Sequence, residues 1–208
     1  MRIVLTSDTH GCHDELDVPK GDVFIHAGDF TNIGRPDEVE DFNEWLAELP
    51  HRHKLIIAGN HDFLFEQEPD YARSLLTDCT YLQDTAVTLE GVRFYGSPYT
   101  PRFHDWAFNL DPGQALRDVW AKIPKDTDVL ITHGPPFGIC DKNSDGEFAG
   151  CRDLTDAIAK LRPRLHVFGH IHEGYGVQSH HALGTTFVNA CALGSHLKVI
   201  RHPLVIDL

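Results

Sequence analysis

The sequence lacks long hydrophobic runs, and acidic residues far outnumber basic ones. Nowhere in its 208 residues does a stretch approach the roughly 18 to 20 consecutive apolar residues that a membrane-spanning helix requires. Lys and Arg number 18 against 31 Asp and Glu, which gives a formal net charge of -13 at pH 7. Nucleic-acid polymers are bound through clustered cationic side chains. We therefore expect neither a membrane nor a nucleic-acid polymer as a partner.

The sequence predicts neither paired cysteines nor a secretory leader. The five cysteines are scattered and form no C-x-x-C pair, which argues against a disulfide framework and a structural zinc knuckle. The first residues, 1–7, predict a strand that leads at once into Asp8 and His10, unlike the hydrophobic segment of a signal peptide. We therefore expect reduced thiols and a cytoplasmic protein.

Two common single-metal hydrolase motifs are absent as well. The chain has no H-E-x-x-H helix, which a zincin needs, and no P-C-x-x-C companion to an H-x-E, which a nucleobase deaminase needs. Histidine, in contrast, is abundant, with 15 residues. Because imidazole is the commonest metal ligand among neutral side chains, this excess favours metal chemistry of another kind.

The hydrophobic pattern predicts a single α/β domain over residues 1–208. Runs of branched aliphatic residues predict buried strands over 3–6, 23–26, 54–58, 129–132 and 165–168, and further strands over 86–90, 93–96, 185–189, 197–201 and 204–207. Apolar residues spaced by three and four predict helices around 39–49, 116–123 and 154–161, the second with Asp111 as N-cap and Pro112 at its first position. We expect a β-sandwich of two mixed sheets flanked by helices, in an αββα arrangement.

Each of the first five predicted strands runs directly into a polar cluster. The clusters are Asp8-Thr9-His10, Gly28-Asp29, Gly59-Asn60-His61-Asp62, His133-Gly134 and Gly169-His170-Ile171-His172. Ligands of open α/β sheets bind beyond the carboxyl ends of the strands. If the strands are parallel neighbours, the five clusters converge on one edge.

The residue types in these clusters suit divalent cations. In an extended turn, residues i and i+2 project to the same side, so Asp8 and His10 can bind one ion together, and His170 and His172 share that spacing. Asp29 stands alone between the two halves of the set, which makes its carboxylate the candidate to bridge two ions. Oxygen and nitrogen donors without thiolate fit Mn²⁺, which we place first, with Fe or Zn²⁺ as alternatives.

The five clusters, D-x-H, G-D, G-N-H-[DE], H and G-H-x-H, occur in the order typical of the calcineurin-like metallophosphoesterase superfamily, which the chain resembles from Asp8 to His172. The segments IHAGDFT at 25–31, YGSP at 95–98, WAFN at 106–109 and GHIHEGYG at 169–176 are similar to the small metallophosphoesterase-domain-containing subfamily. Some members of that subfamily act on cyclic nucleotides and other phosphodiesters.

This resemblance implies a phosphoesterase with two divalent metal ions. It implies one ion held by Asp8, His10, Asp29 and His172, and a second held by Asp29, Asn60, His133 and His170. A hydroxide bridging the two ions would be the nucleophile, and the expected substrate is a small phosphodiester such as a cyclic nucleotide. The alternatives are a phosphomonoesterase and a non-catalytic sensor or scaffold that binds metal and nucleotide.

His61 is the candidate acid that protonates the leaving group, because the family pattern leaves it uncoordinated. Asp62 and Asn32 are the two candidates to hold its imidazole, and we take Asp62 as a catalytic residue with His61. The sequence does not identify the residues that bind the substrate. Four aromatic residues in loops could stack on a nucleobase or equally pack as a lid: Tyr99, Phe103, Trp106 and Phe137.

Overall fold

The computed structural model describes residues 1–194 and 198–208. The strands, in chain order, are β1 (Arg2–Thr6), β2 (Val23–Ala27), β3 (His53–Ile57), β4 (Thr80–Tyr81), β5 (Thr85–Leu89), β6 (Val92–Ser97), β7 (Thr100–Pro101), β8 (Asn109–Leu110), β9 (Val129–Thr132), β10 (Leu165–Phe168), β11 (Gly176–His180), β12 (Thr185–Asn189) and β13 (Leu204–Asp207). The α-helices are α1 (Pro36–Glu48), α2 (Leu64–Gln67), α3 (Pro69–Leu75), α4 (Gln114–Trp120) and α5 (Arg152–Leu161). No helix in these two ranges is long and apolar enough to cross a membrane.

The strands form two main sheets of mixed direction. The first has the order β13-β1-β2-β3-β4, in which β13 is antiparallel to β1 and the other pairs are parallel. The second has the order β11-β12-β10-β9-β6-β5, with parallel pairs in the middle and antiparallel strands at both edges. β7 and β8 make a separate two-stranded ribbon.

Alternating side chains on each sheet build three apolar layers. On β1, Ile3 faces the other sheet, whereas Val4 packs with α1. On β9, Ile131 faces the first sheet, whereas Leu130 packs with α4 and α5. Because both faces of each sheet are covered, the central strands are apolar throughout, as expected for buried parallel strands. The predicted αββα sandwich is confirmed.

The five strands that precede the polar clusters are present, but they are not neighbours in one sheet. β1, β2 and β3 belong to the first sheet, and β9 and β10 belong to the second. The backbone of Ser7 joins the two sheets, because its N–H donates to Ala190 and its carbonyl accepts from Ala192. The clusters therefore gather where the carboxyl ends of two stacked sheets meet.

Two local predictions were wrong. Helix α4 begins at Gln114 with Gly113 as N-cap, at φ +102°, rather than with Asp111 and Pro112. A tertiary contact accounts for this start of the helix, because the Gly113 N–H donates to Asp153 Oδ2 at 2.8 Å. The strand predicted over 197–201 begins at a residue outside the described ranges, and over 198–201 the structure has only an isolated bridge from Val199. The short elements α2, α3, β4 and β11 were not predicted.

Candidate metal centre

Sharp backbone turns place four of the predicted ligands. Asp8, His10, Asp29 and His170 have φ values of +53°, +43°, +56° and +68°, in the left-handed region that non-glycine residues seldom adopt. Such conformations cost free energy and persist where the surrounding structure enforces them, often at functional sites. Each turn places a polar side chain at the end of the sandwich where its strand ends.

Glycines let these turns approach one another. A Cβ on Gly28 would lie 2.6 Å from His133 Nδ1, and a Cβ on Gly59 would lie 2.6 Å from His133 Cε1 and collide with the Asp29 carboxylate. A Cβ on Gly169 would collide with Asp8. The loops of both sheets therefore pack at a distance that side chains at these positions would forbid.

The first group of potential ligands is Asp8, His10 and His172. Their donor atoms lie within 4.8 Å of one another, and His172 Nε2 is 3.4 Å from Asp8 Oδ1. Asp8 is fully buried, and both of its oxygens accept the backbone N–H of His170 at 3.0 Å. The backbone of His170, which follows a strand of the second sheet, thus fixes the Asp8 carboxylate, which follows a strand of the first sheet.

The second group is Asp29, His133 and His170, with Asn60 beside them. The donor atoms of Asp29, His133 and His170 also lie within 4.8 Å of one another. His133 Nδ1–H donates to the Ala27 carbonyl at 2.9 Å, which leaves Nε2 to face Asn60 Oδ1 at 2.8 Å and Asp29 Oδ2 at 3.3 Å. An imidazole anchored through one nitrogen presents the other as a metal ligand.

The Asp29 carboxylate lies between the two groups. Its Oδ2 is 3.7 Å from His10 Nε2 on one side and 3.3 Å from His133 Nε2 on the other. Its Oδ1 accepts the His61 backbone N–H at 2.8 Å. The structure thus brings together all seven residues predicted from the sequence as ligands, and their oxygen and nitrogen donors fit a pair of divalent cations.

Asp29 and His133 stabilise each other's charged forms. Burial opposes the charged form of His133, but the nearby Asp29 carboxylate outweighs it and raises the pKa of His133 to about 9. Burial also raises the pKa of Asp29, yet the attraction of His133 lowers it below its usual range overall. Burial lowers the pKa of His170 to about 4. At neutral pH and without a cation, His133 therefore carries a proton on Nε2, the atom that faces Asn60 Oδ1 and Asp29 Oδ2.

Cation binding at the second group should release that proton. Because the pKa of His133 is raised to about 9, its Nε2 is protonated at neutral pH and must deprotonate to bind a metal. Apparent Mn²⁺ affinity should rise about tenfold per pH unit below about pH 9 and level off above it. Calorimetric titration in buffers of different ionisation enthalpy measures the released proton. Affinity independent of pH between 6 and 8 would contradict this linkage.

His61 lies beside the two groups, and its imidazole is held by other residues. Its Nδ1–H donates to the Asn32 backbone carbonyl at 2.7 Å. The ring packs against the Trp106 indole, with centroids 4.2 Å apart, and meets the edge of the His10 ring at 4.5 Å. A cavity of about 240 Å³ opens above this arrangement. Its lining comprises His10, Asp29, Asn32, Asn60, His61, Phe103, His170 and His172.

The Asp62 carboxylate makes no hydrogen bond to the His61 imidazole within the described residues, so it does not hold that ring as one of our two alternatives predicted. Its carboxylate is fully buried, with Oδ2 accepting from the backbone of Asp29 and Gly59 and Oδ1 from the backbone and hydroxyl of Thr31. Burial and the charge of Asp29 raise the pKa of Asp62 to about 7, so its charge depends on these hydrogen bonds. Asp62 positions the loops, and the Asn32 carbonyl orients His61.

Asp62→Asn should destabilise the fold, because an amide would turn its NH₂ group toward backbone donors. Both carboxylate oxygens act as acceptors, Oδ2 for the N–H groups of Asp29 and Gly59 and Oδ1 for the N–H and hydroxyl of Thr31, so at least one backbone N–H loses its acceptor whichever way the amide is oriented. We expect the free energy of unfolding in urea to fall by about 2–4 kcal/mol. Glu44→Gln, an exposed position on α1, serves as the matched control. Equal stability of the two variants would contradict this role.

Several buried residues that support the site escaped sequence prediction. The Cys191 thiol donates to Asp8 Oδ2 at 3.1 Å across 183 residues of sequence. His26 on β2 and His166 on β10 are fully buried. Their Nε2 atoms pair with Thr9 at 3.0 Å and Thr132 at 2.8 Å, but their Nδ1 atoms have no partner in the described residues. No short motif signals these contacts.

The four aromatic candidates for substrate stacking have different positions. Phe103 lines the cavity and is 62% exposed, and Trp106 packs on His61. Tyr99 instead packs edge-on against Phe108. Phe137 lies under the Arg152 guanidinium, 3.5 Å from the ring centroid. Only Phe103 and Trp106 of these four thus contact the cavity or its wall.

Comparison with known proteins gives an independent classification. Residues 1–174 match the model of the calcineurin-like phosphoesterase family. Metallophosphoesterase domain-containing protein 1 of Homo sapiens and of Mus musculus are each 46% identical over 232 residues, covering 100% of this chain and 71% of the relative. The solved structure of TT1561 from Thermus thermophilus has the same fold, with a TM-score of 0.63 at 15% identity over 90% of this chain and 88% of that chain. The chain therefore belongs to the calcineurin-like phosphoesterase family, whose members are generally dimetal-dependent.

Proposed function

We propose that this protein is a phosphodiesterase that hydrolyses small substrates such as cyclic nucleotides at a two-metal centre. The observation that carries the proposal is the position of the Asp29 carboxylate, whose Oδ2 is approached by His10 from one ligand group and by His133 from the other. A single carboxylate shared in this way is the arrangement that two closely spaced cations require.

The ligand sets follow from the two groups. Asp8, His10, Asp29 and His172 would hold one cation, and Asp29, Asn60, His133 and His170 would hold the other. Bound Mn²⁺, or Fe or Zn²⁺ in its place, would supply a water nucleophile of lowered pKa and positive charge to offset that of the phosphoryl group. The protein residues keep these donors in place through the His133–Ala27 and Asp8–His170 hydrogen bonds.

The charge of the cavity favours a diester over a monoester. The described residues that line it include no Lys or Arg. A phosphate monoester carries about -1.5 to -2 charge at pH 7, whereas a diester carries a single negative charge. With only the cations and histidines to offset substrate charge, the monoanionic diester is the better match. This argument separates the proposal from a phosphomonoesterase.

His61 is the residue that gives a proton to the leaving group. The hydrogen bond from Nδ1–H to the Asn32 carbonyl leaves Nε2 as the nitrogen available for this transfer. His61 follows the ligand Asn60 directly, so its imidazole remains beside the reacting phosphate while other residues bind metal. A diester whose leaving group is an unactivated alkoxide needs this proton most.

Phe103 provides a surface for a nucleobase. The cavity, at about 240 Å³, has room for a phosphate and part of a ribose, so a base would extend past its mouth. The Phe103 side chain stands there, and Asn109 Nδ2 fixes its loop by donating to the carbonyls of Phe103 and His104. Stacking on an aromatic ring contributes about 1–3 kcal/mol per base.

The test is a turnover assay across metals and ester classes. Metal-stripped protein is reloaded with Mn²⁺, Fe²⁺ or Zn²⁺ and assayed with an aryl phosphodiester, 2′,3′- and 3′,5′-cyclic nucleotides and an aryl phosphomonoester. We expect kcat/KM for the diesters to exceed that for the monoester by about tenfold or more, a difference of about 1.4 kcal/mol in transition-state binding. Phe103→Ala should raise KM for the cyclic nucleotides, whereas Phe148→Ala, an exposed residue outside the cavity lining, should not.

Two outcomes would reject the proposal. A higher kcat/KM for the monoester would favour the phosphomonoesterase alternative. Full loading with metal and no turnover of any ester would favour a sensor or scaffold that binds nucleotide without hydrolysing it. Binding of a cyclic nucleotide to the loaded protein distinguishes that second outcome from simple inactivity.

A further inference from the structure

The Trp106 side chain lies outside the apolar layers of the sandwich. The next two residues, Ala107 and Phe108, are buried in the layer between the first sheet and its helices. Trp106 is only partly buried and belongs to none of the three layers within the described residues. Its closest ring neighbour is His61, with centroids 4.2 Å apart and planes inclined by 33°. A more distant contact joins it to Phe63 at 5.8 Å. Core packing alone does not account for this placement.

The backbone around Trp106 is attached to the loop that carries His61. The Ala107 N–H donates to the Asn60 carbonyl at 3.1 Å. The Phe108 N–H donates to Glu66 Oε1 at 2.7 Å, and Phe108 itself adopts the left-handed region at φ +57°. The indole and the imidazole are therefore held by a common framework, so their relative position is set by the fold.

The Nδ1 hydrogen bond is one of three contacts that hold the His61 ring. It joins the edge of the imidazole to the Asn32 carbonyl but places nothing against the faces of the ring. The Trp106 indole covers one face of the ring, and the edge of the His10 ring meets it at 4.5 Å with an interplanar angle of 87°. Together these contacts leave one orientation for Nε2.

We propose that Trp106 is a positioning residue that holds the His61 imidazole with Nε2 directed at the leaving group, which rests on the proposed function of His61 as proton donor. Proton transfer depends on donor and acceptor being within hydrogen-bond reach, and misplacement by about 1 Å can cost about a hundredfold in rate. Loss of the indole should therefore matter most for leaving groups that need the proton.

The first test is a leaving-group series. Mn²⁺-loaded wild type, Trp106→Ala and Trp106→Phe are assayed with methyl phosphodiesters whose leaving groups run from 4-nitrophenol to simple alcohols. For Trp106→Ala we expect unchanged metal content, a loss in kcat below about threefold for the nitrophenyl ester and about 10- to 100-fold for the alkyl esters. Trp106→Phe should restore most of the loss. Trp45→Phe on α1, remote from the cavity, is the matched control.

A double variant ties the effect to His61. In a His61→Ala background, Trp106→Ala should cause no further loss, because the group that it positions is absent. Equal losses across the whole ester series, or a full loss in the His61→Ala background, would overturn the proposal and indicate a general structural role. A KM increase without a kcat decrease would assign Trp106 to substrate binding instead.

The second test does not depend on turnover and uses Zn²⁺-loaded protein, because paramagnetic Mn²⁺ would broaden the signals of nearby protons. The indole shields the His61 ring protons, whose resonances can be assigned by their loss in His61→Gln. Trp106→Ala should shift these resonances downfield and broaden them by exchange between ring orientations, whereas Trp45→Phe should leave them in place. Sharp signals in Trp106→Ala would overturn the positioning role. Absent diester turnover by the wild type, together with the expected shifts, would reject the proposed function while leaving the Trp106–His61 coupling established.

Discussion

Asp29→Asn should empty both cation positions and lower kcat/KM by at least about a thousandfold. The Asp29 carboxylate is the group that both ligand sets share, with Oδ2 at 3.7 Å from His10 Nε2 and 3.3 Å from His133 Nε2. A neutral amide cannot offset the repulsion of two cations held close together. Loss of the cations removes several kcal/mol of transition-state stabilisation, which corresponds to this fall in rate.

Asparagine is the informative substitution at this position. Asp29 has φ +56°, which Asn tolerates better than Ala, and an Asn Oδ1 can still accept the His61 N–H. The backbone should therefore keep its shape while the charge is removed. Elemental analysis after gel filtration measures metal content, and Asp126→Asn on the surface is the control. Full occupancy of both positions in Asp29→Asn would refute the bridging role.

His61→Ala should retain both cations and lose most turnover of esters with poor leaving groups. Its Nδ1–H is bound to the Asn32 carbonyl, and its role is proposed to be proton donation. We expect kcat to fall by about 10²- to 10⁴-fold for an alkyl leaving group, and far less for 4-nitrophenol, which leaves without a proton.

The control for His61→Ala is His180→Ala, an exposed histidine on the edge strand β11. Metal content should be the same in wild type and both variants. Two results would count against the donor role: equal losses for alkyl and nitrophenyl esters, or loss of metal from His61→Ala alone. The second result would make His61 a ligand, for which its proximity to His10 and Asp29 offers a geometric basis.

The strands and the polar residues at their ends were predictable because both signals are local. A run such as Val129–Thr132 is too apolar to be anything but buried, and His133 follows it directly. The division of the strands between two sheets was not predictable, since a buried strand has the same pattern in either sheet. The sequence indicates that the loops meet, but not that they come from opposite layers.

Sequence adjacency was a poor guide to side-chain direction. Asp62 follows His61 and was one of two candidates to hold its imidazole, but the turn directs the carboxylate inward to the backbone of Gly59 and Thr31. The contact that orients His61 comes from the main chain of Asn32, where residue type carries little information. The thiol of Cys191 reaches Asp8 only because the sheets stack.

The hydrogen bond from His170 to Asp8 joins residues 162 positions apart, and the ligands of each proposed cation come from both sheets. During synthesis the first half of the set would emerge long before its counterpart. A chelated ion could therefore be retained only after the second layer has closed over the first. Cation binding would then be a late step of folding, and it would stabilise the packing of the two sheets at the edge where substrate enters.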